Sequence, residues 1–113
     1  MILRRLDTTQ PLCEHFNVAE SFSKRLVGLI GTKQFKNSAL WIPRCNWIHT
    51  FFMSIPIDVV YIDRQMTIRK IDHALPPWRL PFPVFSAASV IEMDAGMANK
   101  LNLQIGDKLD VGH

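Results

Sequence analysis

From Cys45 to Asp63 the chain reads CNWIHTFFMSIPIDVVYID, an almost unbroken run of aromatic and β-branched residues that holds one carboxylate, Asp58, in its second half. Side chains of this kind favour the pleated, half-buried surface of a sheet. The run therefore predicts two strands, divided at Ser54-Ile55-Pro56. An ionised carboxylate buried without a partner costs several kcal/mol, so Asp58 has to meet a cation, meet hydrogen-bond donors, or lie at a wet edge. This makes Asp58 the natural centre of any polar site.

The flanking segments fit around such strands. Leu12 to Ala19 is apolar-rich and partly alternating, which predicts a first strand. Phe22, Leu26, Leu29 and Ile30 follow at helical spacing, with Ser21 as N-cap and Gly31 as C-cap, so a helix is expected over 21–30. Gly28 to Gly31 closes this helix rather than opening it, and the negative end of a helix repels phosphate. Met66 to Leu75 alternates and predicts a further strand, completing an antiparallel meander of three consecutive strands. Four prolines between Pro76 and Pro83 exclude a central strand or helix interior, leaving an extended loop that folds its aromatics onto the core or serves as a partner's ligand. Ala88 to Met93 predicts a strand, Asp94 a cap for a short helix over 95–101, and Lys108 to Val111 a last strand. The expected core contains Phe16, Leu26, Leu29, Ile48, Phe52, Ile57, Val59, Tyr61 and Ile91, with Trp41, Trp47 and Trp78 also packed inward.

A length of 113 residues suffices for one domain with one core, here residues 1–113. An apolar fraction of 48% and a charged fraction of 20% are those of a globular chain. Thirteen Lys and Arg are interspersed among ten Asp and Glu, and the densest basic spots, Arg4-Arg5, Lys24-Arg25 and Arg69-Lys70, are pairs. A basic stripe or a base-stacking motif would be expected of a nucleic-acid binder, so the pattern argues against that partner. Apolar runs are interrupted at Pro43, Pro56 and Asp58, short of the ~20 residues that cross a bilayer, and no membrane span is expected. The N-terminus MILRRLDTTQP lacks the hydrophobic region of a secretory signal, so the chain reads as cytoplasmic, or as exported if a leader has been removed. Cys13 and Cys45 are compatible with free thiols, favoured in a domain large enough to hold its own core, or with one disulfide.

The candidate chemistry is sparse. The sequence shows no nucleophile elbow, phosphate-cradling loop, dinucleotide fingerprint or metalloprotease helix motif. His49 and Asp58 flank the Ser54-Ile55-Pro56 break, so adjacent antiparallel strands would bring them together, as a base and its orienting group or as a packing pair. Arg25 is the first choice of partner for Asp58 and His49 the second. Cys13, His15, Cys45 and His49 are the ligand types of a zinc site, but spacings of C-x-H and C-x3-H match no usual zinc pattern, and core thiols beside unrelated histidines are the plainer reading.

The order R-x-x-G-L-I at Arg25 to Ile30, HTFFM at His49 to Met53 running into IPIDVVYID, Ile68-x-x-Ile71, Pro76-Pro77, VIEMDAG at Val90 to Gly96 and I-G-D at Ile105 to Asp107 resembles the prokaryotic family called domain of unknown function 192. Many such proteins carry a Trp-Met-Lys-Asn type sequence where this chain reads Phe52-Met53-Ser54-Ile55, so no lysine role carries over. The resemblance implies a fold and no particular activity, substrate or cofactor. Taken with the pattern of elements, the expectation is a mainly β, single-domain antiparallel β-barrel or jelly-roll-like sandwich, with one helix in the N-terminal half and a short one in the C-terminal half. The expected function is a non-enzymatic binding or accessory module for a small molecule or protein, without a cofactor, its polar site around Asp58, His49 and Arg25. The alternative is a small hydrolase or metal-dependent enzyme using His49, Asp58 and Cys45.

Overall fold

The computed structural model describes residues 2–5, 11–13, 15–18, 38–51 and 53–112, with side chains at Arg5, 39–51 and 53–110. The expected helix over 21–30, Arg25, and the side chains of Cys13, His15, Phe16, Leu26, Leu29 and Phe52 lie outside this set.

Strands β1 (Ile2–Arg5), β2 (Pro11–Cys13) and β8 (Leu109–Gly112) form one sheet in the order β2-β1-β8. Strands β3 (His15–Val18), β4 (Ser38–Pro43), β5 (Ile57–Ile62), β6 (Ile68–Leu75) and β7 (Ser89–Asp94) form a second, in the order β3-β4-β7-β5-β6. Helix α1 spans Met97–Lys100. The fold is thus mainly β with a short helix late in the chain, as expected, and its sheets stay open rather than closing into a barrel.

Three local expectations need correction. Leu12 to Ala19 is not one strand: it divides into β2 and β3, which belong to different sheets. The strand expected from Trp47 to Met53 is not formed over Trp47 to Phe51, because the backbone there turns to bond the proline-rich loop. Thr50 N–H donates to Arg79 O at 3.0 Å, and the Thr50 carbonyl accepts from Trp78 N–H at 2.8 Å. The meander is therefore a single hairpin, β5–β6, and β7 pairs on the other side of β5. Finally, β3 and β4 run parallel, which antiparallel reasoning missed; residues 19–37 separate them, long enough for the crossover that a parallel pair requires.

Every residue of β5 is buried, since both faces of the large sheet are covered. On one face Ala39, Val60, Ile62, Ile68, Ile91 and Met93 pack with Ala98, Leu103 and Leu109. On the other, Leu40, Ile42, Ile57, Val59, Tyr61 and Val90 pack beneath Ile48, Met53 and Ala87 from the two long loops, 44–56 and 76–88. Burial of both faces explains the continuous apolar run of the sequence there. The outer strand β6 is less covered: Ile68 is buried, and the positions from Arg69 to Leu75 are half-buried or exposed.

Candidate functional site

The two ends of the large sheet differ in how they treat charge. At the end where β5 begins and β7 finishes, Asp58 is fully buried. Its Oδ1 accepts the Ala74 N–H at 2.8 Å, and its Oδ2 accepts the N–H groups of Gly96 at 3.0 Å and Ala98 at 2.9 Å. The register makes the first bond possible. Ile57 pairs with Leu75 and Val59 with Asp72, so His73 and Ala74 bulge opposite Asp58, and Ala74 sits at a left-handed φ of 50°. Gly96, at φ 92°, makes the second turn and precedes α1. The amides of Gly96, just before α1, and of Ala98, within it, are thus met by Asp58 from β5, not by the expected cap Asp94.

His49 is not brought to Asp58. It lies in the 44–56 loop, where its Nδ1 accepts the Phe51 N–H at 3.2 Å and its ring stacks on Phe51 at a centroid distance of 4.9 Å. Cys45 Sγ donates to the Trp47 carbonyl at 3.1 Å. The backbones of Cys13 and His15 lie on β2 and β3, in separate sheets. Among the described residues no group of three or more His, Cys, Asp or Glu is placed to hold a metal ion.

In mid-sheet Glu92 is completely buried, with Leu40 of β4 on one side of it and Val59 of β5 on the other. Neither carboxyl oxygen finds a hydrogen-bond partner among the described residues, and burial pushes the group up to about 8. Glu92 is therefore mainly neutral at pH 7. Diagonally across, the Tyr61 hydroxyl donates to Asp72 Oδ2 at 2.8 Å. Burial first, then that bond and the charges of Asp72 and Glu92, raise the Tyr61 hydroxyl well above its usual range.

At the opposite end, where β4 and β5 finish and β7 begins, a cleft of about 710 Å³ is lined by Arg44, Cys45 and Asn46, by Asp63, Arg64 and Gln65, by Arg69, and by residues 85–88. The rim is braced by backbone bonds from Cys45 N–H to Ala88 O at 3.0 Å and from Ala88 N–H to Ile62 O at 2.7 Å. Arg44 and Arg64 are exposed, and Arg69 approaches Asp63 only at 3.8 Å. Among the described residues Asp63 is the one carboxylate in the lining. Its Oδ1 already accepts Gln65 N–H at 2.9 Å and Thr67 N–H at 3.0 Å, holding the β5–β6 turn. The cleft was not expected, because its arginines are scattered along the chain: Arg44 follows β4, Arg64 lies in the β5–β6 turn and Arg69 in β6.

A mainly β domain with one buried carboxylate knot and one open basic cleft is the class that fold and site define. Within it, the family model of DUF192, described as "Uncharacterized ACR", matches residues 5–111, and the chain belongs to that family. It is 35% identical over 98 residues to a UPF0127 protein of Thermococcus sibiricus, a match covering 82% of this chain and 63% of that protein. It is 33% identical over 97 residues to a UPF0127 protein of Pyrococcus abyssi, with 82% of each chain covered. In fold it is similar to a protein of unknown function from Novosphingobium aromaticivorans, with a TM-score of 0.79 and 16% identity over 98% of this chain and 84% of that one. The first of these relatives is thus considerably longer than the matched region.

Proposed function

We propose that the protein is a non-enzymatic binding module whose site is the Arg44–Arg64–Arg69 cleft, and that the group it binds is an oxyanion, phosphoryl or carboxylate, on a small molecule. One observation carries this reading. Three guanidiniums line a single cleft against one carboxylate, whose Oδ1 is committed to two turn amides, so the lining keeps an excess of positive charge facing solvent. Guanidinium forks match planar oxyanions with paired hydrogen bonds, and a concave wall concentrates their field. Asn46, Gln65 and Ser86 supply neutral polar groups at the same wall. Asp58, in this reading, serves the site at a distance by fixing the far end of β5. The residues of the enzyme alternative lie apart: the Asp58 oxygens accept from three amides at the far end of β5, His49 Nδ1 accepts from Phe51 N–H in the 44–56 loop, and Cys45 lines the cleft.

Calorimetric titration with pyrophosphate and, separately, with citrate tests the proposal. Binding of at least one is expected. It is expected to weaken about tenfold or more in the double variant Arg44→Ala/Arg64→Ala, through loss of two charge-assisted contacts. No heat with either probe, or equal affinity in the double variant, overturns the reading.

A further inference from the structure

Loops 44–56 and 76–88 are bonded into one surface layer over the sheet. Trp47 Nε1 donates to Pro81 O at 2.6 Å, Val84 N–H to Asn46 O at 2.9 Å, and Arg79 N–H to Thr50 Oγ1 at 2.8 Å. Buried Thr50 also donates to Pro76 O at 2.6 Å. Core packing was the expectation for Trp47, Trp78 and the aromatics of the proline-rich segment. Instead, Trp47 is 50% exposed, Trp78 57%, Leu80 55%, Phe82 89% and Phe85 84%. Trp78, Leu80 and Phe82 lie at alternate positions of a proline-stiffened loop that turns at Trp78, at a left-handed φ of 63°, so three large apolar side chains are presented from a backbone restrained by Pro76, Pro77, Pro81 and Pro83.

The charge of this layer is one-sided. Neither loop contains an Asp or a Glu, while Arg44 and Arg79 are exposed within them. Phe85 belongs both to the exposed apolar group and to the wall of the arginine cleft, which joins the two features on the surface. Protruding aromatics set beside arginines, without carboxylates, match the chemistry of an anionic bilayer surface. Tryptophan and phenylalanine enter the boundary between headgroups and chains, and guanidiniums meet the lipid phosphates.

We infer that the 76–88 loop, with Trp47, docks the protein peripherally onto anionic lipid surfaces, its apolar tips in the interface and Arg44 and Arg79 among the headgroups. Among the described residues no helix is long and apolar enough to cross a membrane, so the association proposed is with a surface and not a span.

The test is co-sedimentation of the intact protein with phosphatidylcholine vesicles, with and without phosphatidylserine. Binding is expected with phosphatidylserine, weakened by added salt, and reduced about tenfold or more by Leu80→Ser/Phe82→Ser. That variant should keep the wild-type melting temperature, since both side chains are exposed, and also its pyrophosphate affinity, which separates this test from that of the cleft. No vesicle binding, or binding unchanged by the variant, overturns the inference. So does a wild-type dimer in sedimentation velocity that the variant converts to monomer, for then a second copy covers the patch.

Discussion

The Asp58 end of the sheet and the arginine cleft at the other are finished with opposite electrostatics. Asp58 is dehydrated completely, yet both of its oxygens are met, by three backbone amides drawn from β6, from the turn before α1 and from α1 itself. Arg44, Arg64 and Arg69 face solvent, with a single carboxylate whose Oδ1 is already engaged. A buried charge whose donors all come from the chain holds the fold together. An exposed cluster with more charge than counter-charge has bonding capacity left for a ligand. Glu92 stands between these cases: it is as buried as Asp58, but no donor among the described residues meets it, and burial favours its protonated form.

The contrast can be broken most forcefully at Asp58. Asp58→Ala leaves the buried Ala98 amide unpaired, at roughly 1–3 kcal/mol, and the part-buried amides of Ala74 and Gly96 at less, so a loss of about 3 kcal/mol is expected in urea unfolding. A variant melting within a few degrees of wild type would show that the knot does not hold the fold.

Glu92 gives the next largest effect, and its sign depends on pH. Its native pKa of about 8 lies above the ordinary 4.5, so between these values the folded state binds the extra proton. The stability Glu92 allows is thus full below about 4.5 and is lost as pH rises through about 8. Glu92→Gln should therefore raise the melting temperature at pH 9 by an amount on the order of 2 kcal/mol in stability, and change it little at pH 4. Parallel melting curves for variant and wild type across that range would contradict the account of Glu92.

Gly96→Ala sharpens the knot itself. No atom lies within 4 Å of the added Cβ, so the cost, about 1–2 kcal/mol, comes from the left-handed φ of 92° alone. Chemical unfolding of the variant measures it. Smallest of all, Arg44→Ala/Arg64→Ala should alter stability by less than about 0.5 kcal/mol, leaving the loss of anion binding as its phenotype.

The sequence made some of this architecture legible. The unbroken apolar run at Ile57 to Ile62 marks a strand covered on both faces, and the need of Asp58 for donors follows from its neighbours alone. The identity of those donors was hidden, because backbone amides carry no sequence signature and these come from Ala74, Gly96 and Ala98, far along the chain. Trp47 to Met53 has the composition of a strand, and only the bonds between Thr50 and the 76–79 segment reveal a loop. The strand expected over Ala88 to Met93 gave no sign that Glu92 within it is buried, which follows from the cover on both sides of β7. The cleft was hidden for a different reason: Arg44, Arg64 and Arg69 are unremarkable singly and meet only through the turns that end β4 and begin β6.

The central claim, that the fold is tied at one end of the sheet and binds an oxyanion at the other, is tested most directly by following backbone amide NMR signals during titration with pyrophosphate. The account predicts saturable shifts at residues 44–46, 63–65 and 85–88, with Ala74, Gly96 and Ala98 unmoved. Shifts centred on those last three amides, or none anywhere, would contradict it.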